Sequence, residues 1–281
     1  MRSSGVLDHV RGLGVHDHVC WGYRDPDDFR DHAGGFLVDG LAIGQRPQYV
    51  VTSQDAPRAL ARLRRDPRLD RAVRDGVLQV TAIDAAYAGE AAVDPAAQVD
   101  WYVAATQDAV AAGFTGLRVV GEATPLVGTA GQFDAFARYE HLMDRRMPDV
   151  PFAALCGYDL TVLGEPAVAQ IAVMHPFTNL DRPGFRLCGS PLPGCAVAIG
   201  GELDLANADL FAAALDRADL PVVDGTITLD CTDLEFIDHR ALITLAERAG
   251  DATLVLLTPR SGPSRVVDLL GLRSVRVERP A

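Results

Sequence analysis

The sequence predicts an α/β protein built on a mostly parallel sheet, and three observations predict it. Short apolar, β-branched runs alternate with longer amphipathic stretches from one end of the chain to the other. The runs are almost continuously apolar, as expected of strands covered on both faces. The rhythm breaks once, at Met174-His-Pro-Phe-Thr-Asn-Leu-Asp-Arg-Pro-Gly184, where two prolines and a set of turn formers mark a boundary between units 1–180 and 185–281. A chain of 281 residues has room for two such units.

In the first unit, strands are expected at His18–Gly22, Gln48–Thr52, Val77–Ala82, Leu117–Gly121 and Phe152–Tyr158. Helical periodicity fills the gaps, at Asp27–Ile43, Ala56–Arg65, Pro95–Ala112, Gln132–Arg146 and Glu165–Met174. The second unit repeats the alternation on a smaller scale. Strands are expected at Phe185–Cys188, Cys195–Gly200, Thr226–Asp230, Thr253–Thr258 and Val275–Val277, with helices at Ala206–Ala218, His239–Ala249 and Pro263–Leu270.

Composition excludes several function classes. Hydrophobic residues make up 48% and charged residues 23%, the balance of a folded protein. A net charge of −12 argues against nucleic-acid or anionic-membrane partners. The Arg-rich run between Arg58 and Arg74 is interleaved with Asp66 and Asp70, which reads as a solvated helix face. Every basic residue is Arg, so P-loop and Schiff-base chemistries that need a lysine ammonium are excluded in their usual forms. Five widely spaced cysteines without a C-x-x-C pair point to a reducing compartment. With no apolar leader and no membrane-length apolar stretch, a cytoplasmic location is expected. The sequence leaves the oligomeric state open and allows a homo-oligomer.

The candidate ligand site gathers at strand ends. In His18-Val-Cys20-Trp-Gly-Tyr23 the strand period of two places His18 and Cys20 on one face, with Tyr23 at the carboxyl end. Glu122 closes one further strand, and Cys156 and Tyr158 lie towards the end of another. Open α/β sheets bind ligands at that edge, so His18, Cys20, Tyr23, Glu122, Cys156 and Tyr158 are the expected lining. His18, Cys20, Cys156 and His175 are zinc-compatible in type, but they come from distant segments without paired spacing, and no metal or other cofactor is expected. Two rival readings remain: a metal- or haem-binding redox sensor, and a small-molecule enzyme using Cys20 and Glu122.

These residues carry a resemblance. The H-x-C-x-x-Y motif of His18, Cys20 and Tyr23, the strand Gly116–Glu122, Ala154-Leu-Cys-Gly-Tyr-Asp159 and His175-Pro176 resemble the MEDS family of prokaryotic sensory domains. The resemblance implies a RecA/KaiC-like fold without its nucleotide loop, with Glu122 in the place of an ATPase's second acidic motif. It also implies sensing of small organic molecules, hydrocarbon derivatives being the proposed class. The loop Tyr23-Arg-Asp-Pro-Asp-Asp28 agrees, since it lacks glycine and its carboxylates repel phosphate.

The second unit carries another resemblance. Gly201-Glu-Leu-Asp204 and Thr228-Leu-Asp-Cys-Thr-Asp-Leu-Glu-Phe-Ile-Asp238-His-Arg-Ala-Leu242 are similar to the STAS domain of anti-sigma-factor antagonists. That similarity implies an anti-sigma factor or serine kinase as partner, with Asp204, Asp238, His239 and Arg240 at the switch. Asp238 keeps the helix N-cap, but His239 stands where the family's phosphorylated Ser would be, Arg240 follows it, and Ala241 replaces the usual Gly. A docking domain without a phosphate switch is therefore expected. The combined expectation is a non-enzymatic signalling protein that senses a small organic ligand and relays its presence to a protein partner.

Overall fold

The structure, a computed structural model, describes residues 4–87, 92–181 and 183–280. Its first part runs β1 (Gly5–Val6), β2 (His18–Tyr23), α1 (Pro26–Ala42), β3 (Arg46–Val51), α2 (Ala56–Leu63), α3 (Pro67–Arg74), β4 (Gln79–Ala82) and α4 (Ile83–Ala86). It continues through α5 (Pro95–Ala111), β5 (Leu117–Glu122), α6 (Ala130–Arg146), β6 (Phe152–Asp159), α7 (Leu160–Leu163), α8 (Glu165–Ala172) and β7 (Phe177–Thr178). The helix starts follow local chemistry. Asp25 and Asp94 accept backbone N–H bonds at the starts of α1 and α5, each just ahead of a proline. Thr129 and Gln132 cap α6 reciprocally.

Seven strands form one all-parallel sheet in the order β1-β7-β2-β6-β5-β3-β4. One face packs on Phe29, Phe36 and Leu37 of α1 with Leu63 of α2 and Leu69 of α3. The other packs on Tyr102 of α5, Phe136 and Tyr139 of α6 and Ile171 of α8. Strand β7 lies inside the segment expected to be irregular. Only two residues pair there, directly after Pro176, too short a run for a periodicity to register.

The second part comprises β8 (Phe185–Gly189), β9 (Val197–Leu203), α9 (Ala208–Arg217), β10 (Thr226–Asp230), β11 (Leu234–Ile237), α10 (His239–Ala249), β12 (Thr253–Leu257), α11 (Gly262–Leu270) and β13 (Val275–Glu278). Its sheet is mixed: β8 is antiparallel to β9, and the other pairings are parallel. Strands β10 and β11 lie one after the other along β9, pairing with Val197–Ala198 and with Gly201–Leu203 respectively.

The two parts are packed together through α6 and α8. Leu187 of β8 donates its backbone N–H to the Val173 carbonyl at 2.6 Å, and Val173 and Met174 belong to the second core. Arg217 of α9 reaches Asp134 of α6 and Gln170 of α8, both at 2.9 Å. Among the described residues no helix is long and apolar enough to cross a membrane.

Candidate functional site

The pleat of the first sheet sorts the expected site residues into two groups. Cys20 of β2 and Tyr158 of β6 belong to the core under α5, α6 and α8, with Cys156 packed against it. Tyr23 belongs to the α1 side, where its ring stacks on Phe29 at 4.8 Å. Glu122 is bonded from that side as well, by Arg30 of α1 and Tyr49 of β3. The six expected residues thus do not share one lining. Strands deliver alternate residues to opposite faces, and Tyr23 is odd in register with His18 and Cys20.

On the α6 side the structure adds residues that the strand motifs do not contain. His18, Glu140, Asp144 and His175 are each 1% exposed or less. Glu140 and Asp144 are spaced i, i+4 on α6, so both point at the sheet from consecutive turns. His18 Nδ1 lies 3.0 Å from Asp144 Oδ1, and His18 Nε2 lies 2.9 Å from Glu140 Oε2. Cys156 Sγ is 3.6 Å from both His18 Nε2 and Glu140 Oε2. Tyr158 donates its hydroxyl to Glu140 Oε1 at 2.7 Å. His175 closes the group, with its ring 4.0 Å from that of His18 and Nε2 3.5 Å from Glu140 Oε2. Cys20 pairs in strand register with Cys156 on one side and with Thr178 on the other.

Charge inside this group is distributed by contact. Burial works against protonation of His18, but the Asp144 and Glu140 carboxylates outweigh it and raise the imidazole. Burial lowers His175, and the neighbouring His18 lowers it further. Burial raises the Glu140 carboxyl, yet His175 and His18 together bring it below the ordinary carboxylate range. The thiols of Cys20 and Cys156 and the Tyr158 phenol are pushed up, first by burial and then by the Glu140 charge. His18, Glu140, Cys156 and His175 offer one ligand atom each within 4.8 Å of one another, a set of donor types that suits a metal ion.

This group borders a cavity of ≈ 20 Å³, room for about one water or a comparably small molecule. His18, Glu140 and Cys156 form its polar wall, and Tyr87, Tyr102 and Phe136 form part of its aromatic wall. Glu122 reaches the rim, whereas Cys20, Tyr23 and Tyr158 do not line it. On the opposite face, Arg30 grips Glu122 with two hydrogen bonds of 3.0 and 3.1 Å, and Tyr49 donates to it at 2.7 Å. That carboxylate is a fully engaged ion-pair member.

In the second part, Asp238 caps α10 by accepting the Ala241 N–H at 2.8 Å. His239 and Arg240 follow, both exposed, beside the exposed Phe236. Asp204 accepts the Ala206 N–H at 2.8 Å in the turn before α9. The His18 group is physically linked to the second sheet by Asp144. Its Oδ1 faces His18, while its Oδ2 accepts the backbone N–H of Gly189 in β8 at 2.6 Å. Only glycine permits that approach, since a Cβ at 189 would meet the Asp144 carbonyl oxygen at 2.5 Å.

Sequence reasoning placed His18, Cys156 and Tyr158 in this neighbourhood and missed Glu140 and Asp144. Their i, i+4 spacing in Tyr139-Glu-His-Leu-Met-Asp144 is the available signal: two acids on one stripe of a helix otherwise apolar on that face. Comparison with known proteins adds one match. Residues 17–176 fit the family described as MEDS, the MEthanogen/methylotroph, DcmR Sensory domain. No curated protein matches the chain.

Proposed function

We propose a small-molecule sensor, and the premise is that this chain belongs to the MEDS family. A sensory or signalling role follows from that membership. The ligand class and the output are our reading. The ligand is a small hydrocarbon derivative, one that combines an apolar body with a single polar group. The aromatic wall of Tyr87, Tyr102 and Phe136 suits the body, and the His18–Glu140 side suits the polar end. The cavity as it stands holds about one water, so the smallest ligands, of one or two carbons, displace the packed rings least. The acidic turn between β2 and α1 supports a RecA/KaiC-type frame with no nucleotide site.

The observation that carries the relay is Asp144. One of its oxygens binds the His18 ring that borders the cavity, and the other binds the β8 backbone of the second sheet. A ligand that shifts His18 therefore biases the seating of β8, and with it the 185–281 unit. We read that unit as a STAS-type docking domain that presents Phe236, His239 and Arg240 to an anti-sigma factor or related kinase. With His239 at the helix start, there is no hydroxyl there for a kinase to modify.

The enzyme alternative using Cys20 and Glu122 is not favoured. Cys20 faces the α6 side, Glu122 is bonded from the α1 side, and burial pushes the Cys20 thiol up, away from a reactive thiolate. The test is hydrogen exchange on the full chain with a panel of one- to three-carbon alcohols, aldehydes, halides and carboxylates. A binding member should change protection both around the cavity and in β8–β9. Asp144→Asn should keep the first change and lose the second. A panel with no binder, or a wild-type response confined to the first sheet, would overturn the sensor or the relay respectively.

A further inference from the structure

We propose that His18, Glu140, Cys156 and His175 form a resident site for a divalent cation of the zinc class. The four come from β2, α6, β6 and the turn after α8, yet their ligand atoms lie within 4.8 Å of one another, with His18, Glu140 and His175 buried and Cys156 half-buried. Two imidazole nitrogens, a carboxylate oxygen and a thiol sulfur are the donor types that zinc selects.

The orientation of the two histidines points the same way. His18 turns Nδ1 to the Asp144 carboxylate, and His175 turns Nδ1 to the Ile171 carbonyl at 3.0 Å. Each ring thereby presents Nε2 to the common centre. An oxygen partner on the far nitrogen is how metal-ligating histidines are held. Tyr158 fixes Glu140 in the same manner by occupying Oε1, leaving Oε2 to face the centre.

A second observation is independent of ligand type. Among the described residues His175 Nε2 is buried and has no hydrogen-bond partner, although Glu140 Oε2 lies only 3.5 Å away. With Nδ1 committed as donor to Ile171, Nε2 of the neutral ring carries a lone pair directed at a carboxylate. A proton on His18 cannot relieve that contact. Either a proton on Nε2 itself or a cation between the two does, and the four-donor geometry favours the cation.

The spacing is also right. Tetrahedral zinc with ordinary bond lengths sets its nitrogen and oxygen ligands about 3.4 Å apart, and sulfur about 3.6 Å from either. The His175–Glu140 distance is 3.5 Å and both Cys156 distances are 3.6 Å. Of these four contacts the His18–Glu140 pair, at 2.9 Å, has to open, and the two remaining pairs lie within 4.8 Å. Binding releases two protons to solvent, the one that His18 Nε2 holds against Glu140 and the one on the Cys156 thiol, which becomes a thiolate. The ion then meets two negative ligands and two neutral ones, which balances its charge.

The site shares His18, Glu140 and Cys156 with the polar wall of the sensor cavity, but its test involves no organic ligand. The full-length chain is stripped with a chelator, confirmed folded by circular dichroism, and titrated with cobalt(II). One equivalent should bind, with the visible bands of a tetrahedral ion and a near-ultraviolet thiolate-to-cobalt band. Cys156→Ser should abolish the near-ultraviolet band and Cys20→Ser should keep it. Tyr158→Phe, outside the ligand set, should weaken binding about 10-fold. A folded wild-type chain that takes up no stoichiometric cobalt, or a thiolate band that survives Cys156→Ser, overturns the site. Either result leaves the organic-ligand panel to be judged separately.

Discussion

Glu122 and Glu140 are buried carboxylates engaged from opposite faces of the same parallel sheet, and their surroundings differ in kind. Glu122 meets a guanidinium that matches its two oxygens and a phenol that adds a third donor. Nothing in that arrangement waits for a ligand, and the cost of burying the charge is met within the fold. Glu140 meets two imidazoles, a thiol and a phenol, and one imidazole nitrogen has no hydrogen-bond partner among the described residues. The first grouping is closed and stabilising. The second is a set of adjustable donors beside a cavity and coupled through Asp144 to another sheet. Burial of an acid therefore does not mark a site; incomplete satisfaction among metal-compatible groups does.

The sharpest way to break this comparison is to open the closed side. Arg30→Met leaves Glu122 buried with Tyr49 as its remaining close donor, and should cost about 3–5 kcal/mol of unfolding free energy, read by urea denaturation. A loss below about 1 kcal/mol would show that Glu122 is not held as an ion pair, and the contrast with Glu140 would collapse.

A smaller effect is expected at the coupled side. Gly189→Ala places a methyl group against the Asp144 carbonyl and the Arg145 backbone, an overpacking that should cost about 1–3 kcal/mol. Because Asp144 also holds His18, the His18 imidazole resonances should move in nuclear magnetic resonance spectra. The Tyr49 ring on the opposite face should not. Equal shifts at both would show that the two faces respond together.

The smallest effect concerns Tyr23, on the Glu122 side. Burial, and then the Glu122 and Asp159 charges, push its phenol up to about 12, against an ordinary 10. A raised pKa in the folded state means that the folded chain holds this proton longer than the unfolded chain. The resulting stabilisation is complete below pH 10 and is lost as pH rises through about 12. Tyr23→Phe should flatten that part of the stability-versus-pH curve and delete the corresponding step in absorbance at 295 nm. Little change is expected at neutral pH. An unchanged alkaline slope would place Tyr23 in contact with water rather than in the core.

The alternation of elements was legible in the sequence because it rests on local periodicity. Helix α10 has the bounds expected of it, His239–Ala249, and β10 matches at Thr226–Asp230. Asp238 was expected as a cap and is one, since a cap needs only its own helix. The parallel sheet followed from apolar runs too continuous for an open face. Other features lay beyond local pattern. Strand β7 pairs over two residues, and α3 follows α2 closely enough that its Arg-rich turn reads as a solvated continuation. The division of His18, Cys20, Cys156 and Tyr158 from Tyr23 and Glu122 is a matter of which face each side chain takes at the strand end. The partners that give Glu140 and Glu122 their opposite characters come from elements far along the chain: α6 with the turn after α8 for the one, α1 with β3 for the other. Spacing along a sequence records which residues share a face of one element. Which faces meet is decided by the packing of helices on the sheet, and here that packing created both the closed ion pair and the open cluster.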